Sequence, residues 1–364
     1  MPATHCLLTP RAAMTSRHRR RDNTMMSIVG PVRYSTSDWI DCIWTLPTSR
    51  ILKRTRGYIL SVTVWTALAV SLFKLKMITC TLPPSVHSVV GSAIGLLLVF
   101  RTNTSYDRFW EARKSLGLSI IACRDIAKLT FNHIGKEHHR RIAGILVAFS
   151  IAVKQHLQGD RDQKEFEPFL ECSAMLTELS LKRNRPLYLL RELDAVVAKA
   201  LTESYEQGGN GLSTRPKYME KGLHDMMHEL SKTLGVCERI VKQPAPLSYS
   251  RHTSRFLTLY LFSLPFCFAS TLGWLTIPVV TSICWSLVSI QEIGHFIEEP
   301  FNKETQIIPM NQIISVIWYD VSEILNGVLD NPDSMERVEI MLRETISNSR
   351  QTNNVEHFFA YYSN

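Results

Sequence analysis

Neither a phosphate-cradling G-x-x-x-x-G-K-[ST] loop nor a G-x-S-x-G nucleophile elbow occurs in the 364 residues, so nucleotide hydrolysis by a P-loop and serine-hydrolase chemistry have no motif to carry them. Paired cysteines are lacking too. The eight cysteines (Cys6, Cys42, Cys80, Cys123, Cys172, Cys237, Cys267, Cys284) are scattered without a C-x-x-C, which argues against a zinc ribbon or disulfide framework and leaves buried thiols as the expectation. No run alternates with strand period for long, and no internal repeat is visible. Acidic residues are absent from Met1–Arg21, which carries Arg11, Arg17, Arg19, Arg20 and Arg21. That segment also lacks the apolar core of roughly 7–15 residues that a secretory signal requires, and it has the character of an organellar transit peptide.

Charge is missing in a more informative way further on. The overall composition, 45% hydrophobic and 20% charged, is near the average of soluble globular chains and excludes disorder and collagen. Yet Gly57–Phe73 holds 17 residues without a charge, Met77–Phe100 holds 24 and Phe256–Gln291 holds 36. A helix rises about 1.5 Å per residue against a hydrocarbon core about 30 Å thick, so the first run spans with help from its flanks and the second spans comfortably. Pro83 and Pro84 suit the first turn of that second helix, and the two are expected to form a tight hairpin. The third run fits two spans, broken near Thr271 and Gly273 with Pro265 and Pro278 beside them. Ile142–Val153 is too short to span and reads as a core helix of a soluble body.

The formal net charge of +8 could suit nucleic acid, an anionic membrane or an anionic substrate. The basic residues decide against nucleic acid, because they flank the apolar runs: Arg50, Lys53, Arg54 and Arg56 before the first, Arg101, Arg108, Arg113 and Lys114 after the second, Arg251 and Arg255 before the third. Four spans would return both termini to one side. Between the runs, apolar residues recur at three and four positions, as in Leu187, Leu190, Leu193, Val196 and Val197, which is amphipathic helix. A loop is expected at Gln207–Thr214, and Gln243–Pro246 should end the helix before the third run. The chain thus divides into a basic targeting or disordered segment (1–37), an N-terminal segment with the first transmembrane hairpin (38–101), a helical soluble region (102–251), the second hairpin (252–291) and a C-terminal helical segment with a tail (292–364).

His224-Asp225-Met226-Met227-His228 is the most enzyme-like spacing, since imidazoles four apart on one helix face can share a zinc ion. Asp225 is shorter than the glutamate of H-E-x-x-H, and no third ligand lies nearby. A solvated helix face is the expectation, and a membrane-embedded metal-dependent hydrolase is the alternative class. His138-His139, in a charged cluster, reads as surface. In the second run, small residues Gly91, Ser92, Ala93 and Gly95 allow close helix approach, while Val86, Val90 and Ile94 form a stripe at spacing four, with Leu97 next in line. Such helices ringed about an axis would form an apolar pore neck. Rotated by one position, the inward residues would be Val89, Ala93 and Leu97.

Phe100-Arg101-Thr102-Asn103-Thr104-Ser105-Tyr106-Asp107-Arg108-Phe109-Trp110-Glu111-Ala112-Arg113 resembles the signature of the bestrophin-like family of anion channels, in its chloroplast, algal and bacterial branch, which includes thylakoid voltage-dependent chloride channels. Two further segments agree: Pro246–Phe256, and Glu292-Ile293-Gly294 followed by Ile297-Glu298-Glu299-Pro300-Phe301. Together with the spans they cover roughly Arg50–Tyr319. The resemblance implies an all-α protein with four transmembrane helices per protomer and a helical soluble body, assembled as a homopentamer around a central pore in a lipid bilayer. The cargo would be chloride and other small anions such as bicarbonate or nitrate. It implies no catalytic residue, metal or cofactor, and an organelle membrane, the thylakoid foremost. The second span would line the neck, with Arg101, Asp107, Arg108, Glu111 and Arg113 as packing and ion pairs at its inner end and Arg101 nearest the ion. Animal members hold calcium with an acidic run after the Pro-Phe dipeptide. Here Asn302-Lys303-Glu304-Thr305-Gln306-Ile307 follows Pro300-Phe301, too few carboxylates for a hard cation, so the expectation is calcium independence.

Overall fold

The computed structural model describes residues 49–77, 79, 81–207, 217–303, 305 and 307–352. The targeting segment expected at 1–37 and all but the first residue of the loop expected at Gln207–Thr214 lie outside them. The described residues form helices only: α1 (Arg50–Lys74), α2 (Pro84–His133), α3 (Lys136–Gln158), α4 (Ser173–Leu181), α5 (Arg185–Gln207), α6 (Lys217–Lys242), α7 (Leu247–Leu272), α8 (Thr276–Glu298), α9 (Met310–Ile324) and α10 (Pro332–Thr352). A single 3-10 turn, Gly273–Leu275, separates α7 from α8.

Helix α2 joins two distinct cores. It starts at Pro84, where a missing N–H is harmless, and then runs 50 residues, about 75 Å, without a proline or cap to stop it. The boundary expected at residue 101 therefore falls inside one helix: charge begins at Arg101, but charge does not end a helix. The first half packs on α7 and α8, which in turn pack on α1. The hairpin expected between α1 and α2 accordingly has little direct contact across it. The interior of this span bundle is small, comprising Val62, Ile94, Leu98, Leu257, Leu261, Leu264, Val280 and Cys284. Between its helices run polar contacts: Tyr58 Oη to Thr258 Oγ1 (3.1 Å), Thr63 with Thr281 (3.0 Å) and Trp65 Nε1 to the Phe262 carbonyl (2.9 Å). The break in the third apolar run falls at Gly273, whose φ of 54° only glycine adopts without strain. Pro265 sits inside α7 and does not break it.

The second half of α2 packs on α6 and α9, and α3 packs on α5. Helix α3 is the centre of this body, buried continuously from Ile142 to Gln155, so the short apolar stretch forms a core helix. At Gly144 the Phe169 carbonyl oxygen occupies the space a Cβ would need, which lets the 160–170 loop lie directly on α3. Beside it, Glu165 accepts from both Lys154 and Arg337 at 2.8 Å, and its other oxygen accepts from Gln155 at 2.8 Å. The His138-His139 pair departs from expectation: His139 is buried against the Ile134 carbonyl (2.9 Å), and His138 bonds Glu203 (2.8 Å). A charged neighbourhood conceals that His139 lies one turn before the continuously buried run of α3 and faces the same core.

Three stretches among the described residues are long and apolar enough to cross a membrane: Arg50–Lys74, Pro84–His133, and Leu247–Glu298, the last comprising α7 and α8.

Candidate functional site

On α2, buried residues fall at Ile94, Leu98, Arg101, Ser105, Phe109 and Ala112, a stripe of helical period that faces the rest of the protomer. The opposite face carries Val89, Ser92, Ala93, Leu96, Phe100, Asn103 and Asp107, all exposed, with Val89 the most open of its large apolar side chains at 72%. Ser85 and Ser88 lie one turn earlier and are also exposed. The residues expected at a neck divide between these faces. Val86 is exposed, Val90 packs partly against the inner cluster, and Ile94 lies inside it at 1% exposure. Leu97 is half-buried, and its carbonyl accepts from Tyr249 Oη (3.3 Å). The reason is geometric: each step of four residues turns the side chain by about 40°, so a stripe of spacing four that starts outside ends inside within two turns. Of the rotated set, Val89 and Ala93 face outward.

The charged group after the apolar half does not gather at one point. Arg101 is buried, with Nη2 3.7 Å from Glu298 Oε2, and Glu298 Oε1 accepts from the Ala245 amide (3.2 Å). Glu298 thus binds α2 to the α6–α7 link. Arg108 donates to the carbonyls of Gln243 (2.6 Å) and Ile240 (2.5 Å), satisfying the open C-terminal end of α6 where the helix dipole is negative. Glu111 pairs with Arg239 of the same helix. Arg113 is half-buried, and Asp107 stands on the outward face. These contacts lock α2 to α6 and α8 and so fix which face of α2 looks away from the protomer.

Sequence reasoning missed several partners. Arg54 of α1 pairs with Glu292 (2.8 Å) and stacks over Phe296, tying α1 to α8. Gln291 Nε2 donates to Ser254 Oγ (2.8 Å), and Arg124 pairs with Asp320 of α9 (2.6 Å). Glu292 and Glu298 belong to segments that stood out in the chain, but no spacing indicates which cation each would meet. After Pro300, the turn is held by the Ile308 amide on the Pro300 carbonyl (3.3 Å) and by Lys303 Nζ on Asp160 Oδ2 (2.5 Å). That hydrogen bond lifts the Lys303 pKa above its ordinary value.

His224, Asp225 and His228 are exposed on α6, and the two histidines border a cavity of about 650 Å³ with Tyr188, Arg191 and Asp194. No group of three or more His, Cys, Asp or Glu side chains that could hold a metal occurs among the described residues.

Apolar helices of spanning length, joined through one continuous helix to a separately cored helical body, define a membrane protein with a large aqueous part. Residues 32–323 match the family described as Bacterial/Fungal Bestrophin protein, and the chain belongs to that family. A voltage-dependent anion channel-forming protein of Nostoc sp. is 33% identical over 248 residues, 66% of this chain and 78% of that one. The chloroplastic voltage-dependent chloride channel 2 of Arabidopsis thaliana is 32% identical over 225 residues, 60% of this chain and 52% of that protein. The fold is that of a bacterial bestrophin homolog from Klebsiella pneumoniae, 24% identical, with a TM-score of 0.66 over 74% of this chain and 97% of that one.

Proposed function

We propose that the chain is a channel for small anions, chloride foremost and bicarbonate or nitrate alongside, formed by five copies with α2 around the axis. The observation that carries this reading is the outward face of α2. Lipid offers no partner to a hydroxyl, so Ser85 and Ser88, exposed on that side among Val89, Ala93 and Leu96, suit a conduit or a neighbouring helix better than acyl chains, while Ser92 donates back to the Ser88 carbonyl (2.9 Å) and is tolerated in either setting. The face continues without interruption into polar Asn103, Thr104 and Asp107, as a path leaving the membrane would. Val89 and Ala93 then form the neck, a ring of small and branched apolar groups that an anion crosses while weakly held. Arg101, paired with Glu298, serves as packing behind the wall and fixes the rotation of α2.

The α1 helix, the first half of α2, α7 and α8 each cross the bilayer, with Arg50, Lys53, Arg54, Arg56, Arg251 and Arg255 on the side of the helical body. Calcium is not required: Lys303 occupies the stretch after Pro300-Phe301 and puts a cation on Asp160 where the animal members carry an acidic run. An organelle membrane, the thylakoid foremost, is supported by the Arg-rich, acid-free first 21 residues and by the chloroplastic Arabidopsis relative. Nothing in this reading requires catalysis by His224, Asp225 or His228. Purified full-length protein in planar bilayers should give currents that reverse near the chloride equilibrium potential and persist in a calcium chelator. Reversal at the cation potential would overturn the anion reading, and loss of current in chelator would overturn calcium independence.

A further inference from the structure

Between the end of α3 and the start of α5 lies a cavity of about 180 Å³ bordered by Gln155, His156, Asp160, Arg161, Arg183 and Arg185. Arg185 is the unusual member. It is 8% exposed, lies over the Phe166 ring, and donates from Nη1 to Gln155 Oε1 (3.1 Å), while its Nε has no hydrogen-bond partner. No carboxylate forms an ion pair with it among the described residues, and those nearby make other contacts. Asp160 holds Lys303, Glu165 is shared by Lys154 and Arg337, Glu238 takes His156 and Lys242, and Asp162 accepts from the Lys164 amide. Arg161 and Arg183 form no ion pair among the described residues. Burial, and then the neighbouring Arg161, push the Arg185 guanidinium below its ordinary pKa.

A buried guanidinium is retained without penalty only when an anion meets it. Three guanidinium forks around one space provide several paired N–H donors, the geometry that matches an oxyanion better than a spherical halide. We propose that this cavity binds one free inorganic phosphate between Arg161, Arg183 and Arg185, joining the end of α3 to the first turn of α5. No residue of α2 or of the span bundle borders the cavity, so the proposal stands apart from the conduction path.

The test is equilibrium uptake of radiolabelled inorganic phosphate by full-length protein in a detergent that contains no phosphate, at constant ionic strength set with chloride. Saturable uptake of one ion per protomer is expected. Arg161→Gln and Arg183→Gln should each weaken it about tenfold, the loss of a charge-assisted hydrogen bond, and Arg185→Gln should abolish it. Because Arg185→Gln can also unfold the body, the two exposed arginines decide the outcome. A second arm adds a short-chain phosphatidylglycerol, whose headgroup carries the same chemistry. Uptake that does not saturate, uptake unchanged in the Arg161→Gln/Arg183→Gln double variant, or lipid binding without uptake of free phosphate would overturn the proposal.

Discussion

In the helical body, Phe149, Phe166, Leu189 and Leu193 are fully buried within a single copy of the chain, whereas in the span bundle Leu60, Val64, Leu68, Val89 and Leu259 lie exposed around a small apolar cluster centred on Ile94, Leu98 and Leu261. The body closes its own core and pins it with charge, Glu165 between Lys154 and Arg337. The bundle leaves its large apolar groups to whatever surrounds it, uses neutral hydroxyl contacts between helices along its apolar length, and keeps its ion pairs, Arg54 with Glu292 and Arg101 with Glu298, at the end next to the body. Water drives the first arrangement through burial of apolar area. Lipid removes that driving force from the second, so close packing and hydrogen bonds are what remain.

Substitutions in the two regions should therefore differ in size. Glu165→Ala leaves Lys154 buried without a counter-charge and should destabilise the body by about 3–5 kcal/mol, read as a fall in the denaturant midpoint of detergent-solubilised protein. Gly144→Ala forces a methyl group into the Phe169 carbonyl; with the backbone able to give only partly, a loss of about 1–3 kcal/mol is expected in the same measurement. Thr63→Val removes the hydroxyl contact to Thr281 within the spans and should cost only about 0.6 kcal/mol. If Thr63→Val proved as damaging as Glu165→Ala, the contrast between the regions would fail.

The smallest expected effect is on pH. Burial alone raises the pKa of Glu238, but hydrogen bonds from Lys242 and His156 outweigh it and hold the carboxyl below its ordinary value. A depressed carboxyl contributes stability that is complete above the unfolded pKa of about 4.3 and is lost as pH falls through the folded value. Glu238→Gln should thus slightly flatten the acid limb of the stability profile and leave the neutral region little changed; an unaltered acid limb would remove the contribution.

Much of this architecture was legible because lipid imposes a coarse rule: charge-free runs of sufficient length mark the stretches apolar enough to cross a membrane, and Gly273 marks the turn between α7 and α8 within the last of them. The end of α2 was not legible, since Arg101 to Lys114 contains charge but neither proline nor cap. Nor was its orientation. In Val86–Val99 apolar residues lie on all sides, so periodicity distinguishes no face, and a stripe of spacing four suggested Ile94, which the packing of Leu98, Leu257 and Leu261 places inside. The charges of the signature stretch were recognised as a group, but their pairing with Glu298, Arg239 and the α6 carbonyls depends on helices far apart in sequence.

The central claim is that anions pass along the outward face of α2. Cysteine substitution tests it most directly, in a Cys172→Ser background that removes an exposed native thiol. With Val89→Cys, Ala93→Cys and Ile94→Cys reconstituted in bilayers, a charged thiosulfonate added during recording should change the chloride current at Val89 and Ala93 and leave Ile94 unaffected. Modification of Ile94 with Val89 and Ala93 silent would contradict the account.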